Sequence, residues 1–231
     1  MPERSFRVFL WSLALLGLTA DQVSKYGVFS WLQGVESHAY ALFQTEPESR
    51  TLAVVPHDSD PMIRMSQRGF FLEVAFESDP DANGKPIPHV NHGALFGFGR
   101  NYKTLANGIF ALISFLAAIA ILFWSSYRST SSDRWLCIAL GLILAGTLGN
   151  LYDRLVFNGV RDFLHWNLWF DWPVFNIADC CLVGGAGLLL VQAFFVPQTD
   201  KTKASGDKQH LPNTTAAVAG MACAAGGLPQ V

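Results

Sequence analysis

Four apolar runs decide most of what this chain can fold into, because each has about the 20 residues a helix needs to cross a bilayer core. They are Phe6–Phe29, Thr104–Trp124, Trp135–Val156 and Val174–Val196. At 51% hydrophobic and 15% charged, the chain is too apolar for an average soluble domain. A net charge of −2 gives no pull toward nucleic acid. Arg4 and Arg7 precede the first run, as in a signal peptide, but the run continues to Phe29 without a small-x-small cleavage site. It therefore reads as a retained anchor.

The polar link Ser125–Arg134 is short, so the second and third spans run antiparallel. Arg4 and Arg7, Arg128 and Arg134, and Lys201 and Lys203 all fall on one side of a four-span arrangement. Positive charge collects on the cytoplasmic side, which predicts both termini there. The opposite side receives two segments. One, about Ser30 to Lys103, mixes acids with arginines and holds two strand-like stretches, Thr51–Val55 and Gly69–Glu77. Its Asp79-Pro80-Asp81-Ala82-Asn83-Gly84 is a turn signal. The other, Phe157–Pro173, is rich in Trp and Phe, which suits a membrane interface. The expected architecture is an α-helical membrane protein: four transmembrane helices with a small extracytoplasmic β element. Residues 1–196 form one membrane domain, 38–86 an extended extracytoplasmic insert, and 197–231 a disordered cytoplasmic tail.

Polar residues inside or beside the spans are the next constraint. A carboxylate in a transmembrane helix is expensive and tends to face a protein interior or do chemistry. Asp179 lies near the start of the fourth run, with Asn176 three residues before it on the same helix face. Asp162 lies just upstream, where the same membrane face begins. At 1.5 Å per residue, Asp21 and Asn150 each lie about 22 Å along helices running outward, and Asp179 about 7 Å into one running back. All three fall at one depth, in the outer leaflet. Lys25 and Arg154 follow one turn beyond Asp21 and Asn150, and Asn91 with Gly93 precedes the second span on the same side.

Asp21 and Lys25, spaced i, i+4, suit either an ion pair or a contact with substrate. Asp153 reads as structural, Asn176 as a cap or an interhelical bond. Six scattered histidines without HExxH give no metal site, and no disulfide or CxxC pattern emerges from Cys137, Cys180, Cys181 and Cys223. The Asp162/Asp179 pair has no comparable structural account.

The blocks Asp21-Gln22-Val23-Ser24-Lys25, Asn91-His92-Gly93-Ala94-Leu95-Phe96-Gly97, Gly149-Asn150-Leu151-Tyr152-Asp153-Arg154, Val160-Arg161-Asp162-Phe163 and Phe175-Asn176-Ile177-Ala178-Asp179 resemble, in order and within four spans, the lipoprotein signal peptidase (signal peptidase II) family of bacterial membrane aspartic proteases. The resemblance covers about 6–37 and 87–196. It implies that Asp162 and Asp179 are the catalytic dyad and that Asn91, Gly93, Asn150, Asp153, Arg154 and Asn176, with Asp21 and Lys25, support it or hold substrate. It further implies diacylglyceryl-modified prolipoproteins as substrate, cut before the lipidated cysteine, with membrane lipid as surroundings. No cofactor or nucleic acid is implied, and a monomer in the bacterial inner membrane with its site near the outer face is expected. Leu95 stands where the family usually has a small residue, and the 38–86 stretch and the tail are longer than usual. A rival reading is a proton-coupled carrier with a relay through Asp21, Asp179 and Arg154. A carrier needs polar groups reaching both sides, whereas the inner halves of these spans carry no acid or base.

Overall fold

The computed structural model describes residues 5–34, 38–44, 68–93 and 103–195. The expected tail, the strand-like stretch Thr51–Val55 and Leu95 lie outside the described residues. The elements run α1 (Arg7–Leu32), β1 (Ala39–Gln44), β2 (Gly69–Glu73), α2 (Lys103–Ser125), α3 (Arg128–Ser131), α4 (Arg134–Val156), β3 (Leu164–Asn167) and α5 (Ile177–Phe195). Three described helices are long and apolar enough to cross a membrane: Lys103–Ser125, Arg134–Val156 and Ile177–Phe194. The result is a helical membrane protein with a small sheet.

Helix α4 is the hub. Leu140, Leu144 and Cys137 are buried in a cluster with Leu10 and Ala14 of α1 and Ala118 and Ile121 of α2. Its other faces are small, and Ala139 and Ala145 are fully buried. Without a hydrophobic drive in lipid, helices associate through such close packing. Gly149 needs its missing side chain, because a Cβ there would sit 2.6 Å from an Asp21 carboxylate oxygen and 3.1 Å from Ala178. The glycine thus lets an acid of α1 and the start of α5 meet across α4. Large apolar side chains of α2, such as Leu105, Leu112 and Phe123, face outward, as expected of lipid-facing positions.

The sheet is antiparallel in the order β1-β2-β3, with Phe71 opposite His165 and Leu72 opposite Leu164. Its core of Phe29, Leu32, Val74, Phe163 and Leu164 sits on the end of α1. The expected strand over Gly69–Glu77 is therefore shorter, ending at Glu73, and it is the central strand. Ala39–Gln44 and Gly69–Glu73, both within the expected 38–86 insert, are integral to the sheet. The turn reading holds: the Asp81 carboxylate accepts the amides of Asn83 and Lys85, both at 2.8 Å, and Gly84 has φ +75°. The aromatic segment 157–173, expected only as an interfacial link, contributes β3.

Candidate active site

The site is assembled by backbone pairing on either side of Asp162. Val160 and Asn91 exchange both backbone hydrogen bonds at 2.8 Å. Two residues beyond Asp162, Leu164 pairs in the same way with Phe175, at 2.8 and 2.9 Å. An extended chain repeats its side-chain direction every second residue. The first pairing therefore puts Asn91 on the same face as Asp162, and the second brings in Asn176 as the residue after Phe175, where the chain turns into α5. Asn91 Nδ2 donates to Asp162 Oδ2 at 3.0 Å, and Asn176 Nδ2 donates to Oδ1 at 2.6 Å. Asn91 is itself fixed by an Asx turn, its Oδ1 accepting the Gly93 amide at 2.8 Å. Gly93 has φ +90° and lies against the Phe110 ring, so any side chain there would meet both strain and a clash.

Asp179 arrives by a different route. Asn176 caps α5 and Asp179 is its third helical residue. The Asp179 amide donates to Asn176 Oδ1 at 3.1 Å, and the Asn176 amide donates back to Asp179 Oδ2 at 3.2 Å. This reciprocal arrangement is a capping box. The helix starts at Ile177 rather than at the expected Val174, so Asp179 lies in the first turn, where the helix dipole favours negative charge. Its other oxygen accepts Asn150 Nδ2 at 2.8 Å. Asn176 thus touches both carboxylates, through its side chain to Asp162 and its backbone amide to Asp179. Burial first, and then the Asp179 charge, push the Asp162 carboxyl up to about 7, against the hydrogen bonds from Asn91 and Asn176.

Beneath this pair is a charge-balanced cluster, fully or almost fully buried. Lys25 Nζ lies 2.8 Å from Asp21 Oδ2 and 3.3 Å from Asp153 Oδ2, and donates to Asn150 Oδ1 at 3.3 Å. Asp21 Oδ1 accepts the Ala178 amide at 2.8 Å, capping α5 from another helix. Asp153 holds Arg161 through three bonds of 2.9 to 3.2 Å. The Arg161 guanidinium is stacked between Phe157 at 4.0 Å and Tyr26 at 4.2 Å and also donates to Gln22 at 3.1 Å. Both partners of the Asp21/Lys25 pair are fully buried, a strut inside the protein.

Arg154 stands apart from that cluster. It lies over the Phe110 ring at 5.0 Å and donates to Asn107 Oδ1 at 3.3 Å, while its Nε is buried with no hydrogen-bond partner among the described residues. Its charge reaches both Asp162 and Asp179. No group of His, Cys, Asp and Glu suited to a metal occurs among the described residues.

All ten residues singled out from the sequence are among those described, and all lie in or against this region. Arg161 and Gln22 carry no assigned role in the sequence beyond their places in the blocks around Asp162 and Asp21. Their signal, a charged residue directly before Asp162 and an amide directly after Asp21, gains meaning only once both touch Asp153. His165 was also unanticipated. Its Nδ1 meets Glu73 at 2.8 Å and its Nε2 meets Asp171 at 2.7 Å, tying the segment after Asp162 to β2. The Glu73 hydrogen bond, opposed by burial and helped by Asp171, raises the imidazole above its usual range.

Fold and site together define a class: a helical membrane protein with two bridged carboxylates, one in the first turn of a helix and one in the segment before the last strand. Residues 86–195 match the signal peptidase (SPase) II family. A lipoprotein signal peptidase of Rhodopirellula baltica is 42% identical over 133 residues, spanning 52% of this chain and 57% of that protein. One from Pseudomonas aeruginosa is 38% identical over 123 residues, spanning 52% and 68%. Two solved structures, each described as a bacterial membrane enzyme, share the fold. One has a TM-score of 0.55 at 21% identity, covering 91% of this chain and 98% of its own. The other has 0.56 at 22%, covering 85% and 99%. The chain belongs to the signal peptidase II family, which is a family of proteases. The carrier reading gains no support.

Proposed function

We propose that this protein is a membrane aspartic endopeptidase that removes signal peptides from diacylglyceryl-modified prolipoproteins, cutting before the lipidated cysteine. Asp162 and Asp179 are its catalytic pair. The observation that carries the reading is Asn176, which hydrogen-bonds to both carboxylates and keeps them in one site. Two close carboxylates share a proton because they do not both ionise readily. The ionised member takes a proton from water as the water attacks the scissile carbonyl, and the protonated member gives its proton to the leaving amine. The proton belongs to the pair rather than to one named aspartate. Asn91, Asn150 and Asn176 hold the carboxylates, and Arg154 faces them as a fixed positive charge for substrate oxygens. One copy supplies both acids, so a monomer suffices. The test is cleavage of a lipidated prolipoprotein by purified protein with a chelator present. No cleavage, or cleavage only after divalent metal is returned, contradicts the reading.

In the same reading α1 is a fourth span. Its 26 residues extend about 39 Å, more than a core of about 30 Å requires. Its charged residues Asp21 and Lys25 turn inward, while Val8, Leu15, Leu16 and Val23 turn out. Residues 1–196 are then the peptidase domain in the bacterial inner membrane, with both termini cytoplasmic and the site near the outer face. A reporter fused after Val196 should score cytoplasmic, and one inserted near Asn83 extracytoplasmic. The opposite result at either position rules out this topology.

The pair also sets a pH dependence. As pH rises through about 7 the shared proton is lost, and the cleavage rate should fall on the alkaline side. Asn91→Ala removes a bond that favours the ionised carboxylate, so it should move that alkaline limb upward. Rate profiles of the two proteins check this, and a downward move contradicts it. Stability follows the same shift. Between pH 3.8 and about 7 the folded protein holds on the pair a proton that the unfolded chain has released, so stability declines as pH rises across that window.

A further inference from the structure

Beside Asp162 opens a cavity of about 590 Å³. Its floor is apolar, with Val74 and Val90 buried beneath it and Ala106 and Val174 at its sides. Apart from Asp162, its partner Asn91, and His92, its polar lining is Glu73, His89 and Lys103. Two of these three are already answered: Glu73 by His165 at 2.8 Å, and His89 by Glu77 at 2.9 Å. Lys103, the first residue of α2 and exposed, has no ion-pair or hydrogen-bond partner among the described residues. The lining comes from β2 and its continuation, the segment 89–92, the first turn of α2 and the two residues Pro173 and Val174. The interior of every long helix is absent from it.

This position decides what the cavity can hold. A signal peptide that is still a membrane helix lies along the lipid-facing flanks of the spans, on one side of the carboxylates. The mature chain leaves on the other side, toward water. The cavity starts at Asp162 and lies wholly at that outer end, so it is where the residues after the scissile bond must run. An apolar floor accepts small side chains there, and among the described residues Lys103 leaves one uncompensated positive charge at the wall. We propose, resting on the peptidase reading above, that this cavity binds the first few residues of the mature chain and that Lys103 makes it favour an acidic side chain among them.

The test compares lipidated prolipoprotein peptides that differ only in carrying Asp or Lys at the second, third or fourth position counted from the cysteine. The assay is run in neutral detergent micelles. An exposed charge pair changes an equilibrium by a factor of about two to five. Attraction of one peptide and repulsion of the other therefore give an Asp-to-Lys ratio of kcat/KM of about tenfold at one of the positions. Lys103→Gln should bring that ratio close to one, and Lys103→Glu should invert it. Because the ratio is taken within one enzyme, a partial loss of folded protein cancels. An unchanged ratio in both variants overturns the assignment. So does an equal change for both peptides, which is the behaviour of a lysine that holds lipid phosphate, and adding anionic phospholipid should then restore rate to neither variant. If the wild-type protein cleaves none of the peptides, the peptidase reading fails and the cavity assignment goes with it; uniform cleavage of all of them overturns the assignment alone.

Discussion

Asp162→Asn and Asp179→Asn should each remove nearly all cleavage of lipidated prolipoprotein while the protein still inserts in the membrane. Each substitution keeps size and shape but removes a group able to exchange a proton. Positioned acid–base catalysis contributes roughly 10²–10⁴-fold, and a loss of that order is expected from either change. The local cost is modest. The Asp162 oxygens accept from two asparagine amides, so an amide there can keep one of the two bonds and must turn its own NH2 toward the other donor. The Asp179 oxygens accept from Asn150 and from the Asn176 backbone, with the same consequence. The double variant should be scarcely worse than either single one, because groups that act as a unit do not lose activity additively. Asp153→Asn should behave differently. It loosens Arg161 and Lys25 beneath the site, so thermal stability should fall along with activity. Single-turnover cleavage alongside thermal unfolding in detergent separates the two patterns. Cleavage near the wild-type rate by either dyad variant would falsify the aspartic mechanism.

What the sequence revealed of this site followed from local spacing. Asn176 and Asp179 are three apart, the spacing of a capping box, and the spacing alone put them on one face. Helix rise put Asp21, Asn150 and Asp179 at one depth, and they do meet through Lys25, Asn176 and the Ala178 amide. Hydropathy set the long helices well but misjudged two ends by three residues: α1 runs past the expected Phe29 to Leu32, and α5 starts late. Val174 and Phe175 are apolar enough to extend the fourth run, yet Phe175 is used in pairing with Leu164, and the cap falls at Asn176.

The long-range pairings were not legible. Asn91 lies opposite Val160 across a separation of 69 positions in the chain, and nothing local in Val90-Asn91-His92 indicates its partner. β1 was missed because Ala-Tyr-Ala-Leu-Phe-Gln alternates poorly and lies at the sheet edge. β3 was hidden by its tryptophan, which reads equally well as an interfacial anchor. Arg161 shows the same limit for a single residue. A buried arginine is recognisable only when its counter-charge and its stacking rings are known, and Asp153, Tyr26 and Phe157 come from both sides of a 135-residue separation.

Lys25→Met should be among the most destabilising single changes. Methionine replaces most of the lysine stem, so packing is nearly kept and the loss is electrostatic. Lys25, Asp21 and Asp153 are all fully buried. With Arg161, the wild-type cluster balances two negative charges with two positive ones. Without Lys25, Asp153 still has Arg161, but Asp21 keeps only the Gln22 and Ala178 donors against a full charge. Breaking one partner out of a buried ion pair costs about 3–5 kcal/mol, a large part of the roughly 5–15 kcal/mol that holds a typical domain folded. Asn150 also loses a donor to its Oδ1 and with it part of the restraint that aims Nδ2 at Asp179. If the damage is the orphaned charge, adding Asp21→Asn to Lys25→Met should recover much of the stability, although Asp21→Asn alone destabilises. Thermal unfolding of the four proteins in one detergent gives the coupling directly. Cleavage by the double variant then shows whether a refolded strut is enough for activity. If Lys25→Met instead loses cleavage with its melting temperature unchanged, Lys25 acts on the substrate and the buried strut is not its main role.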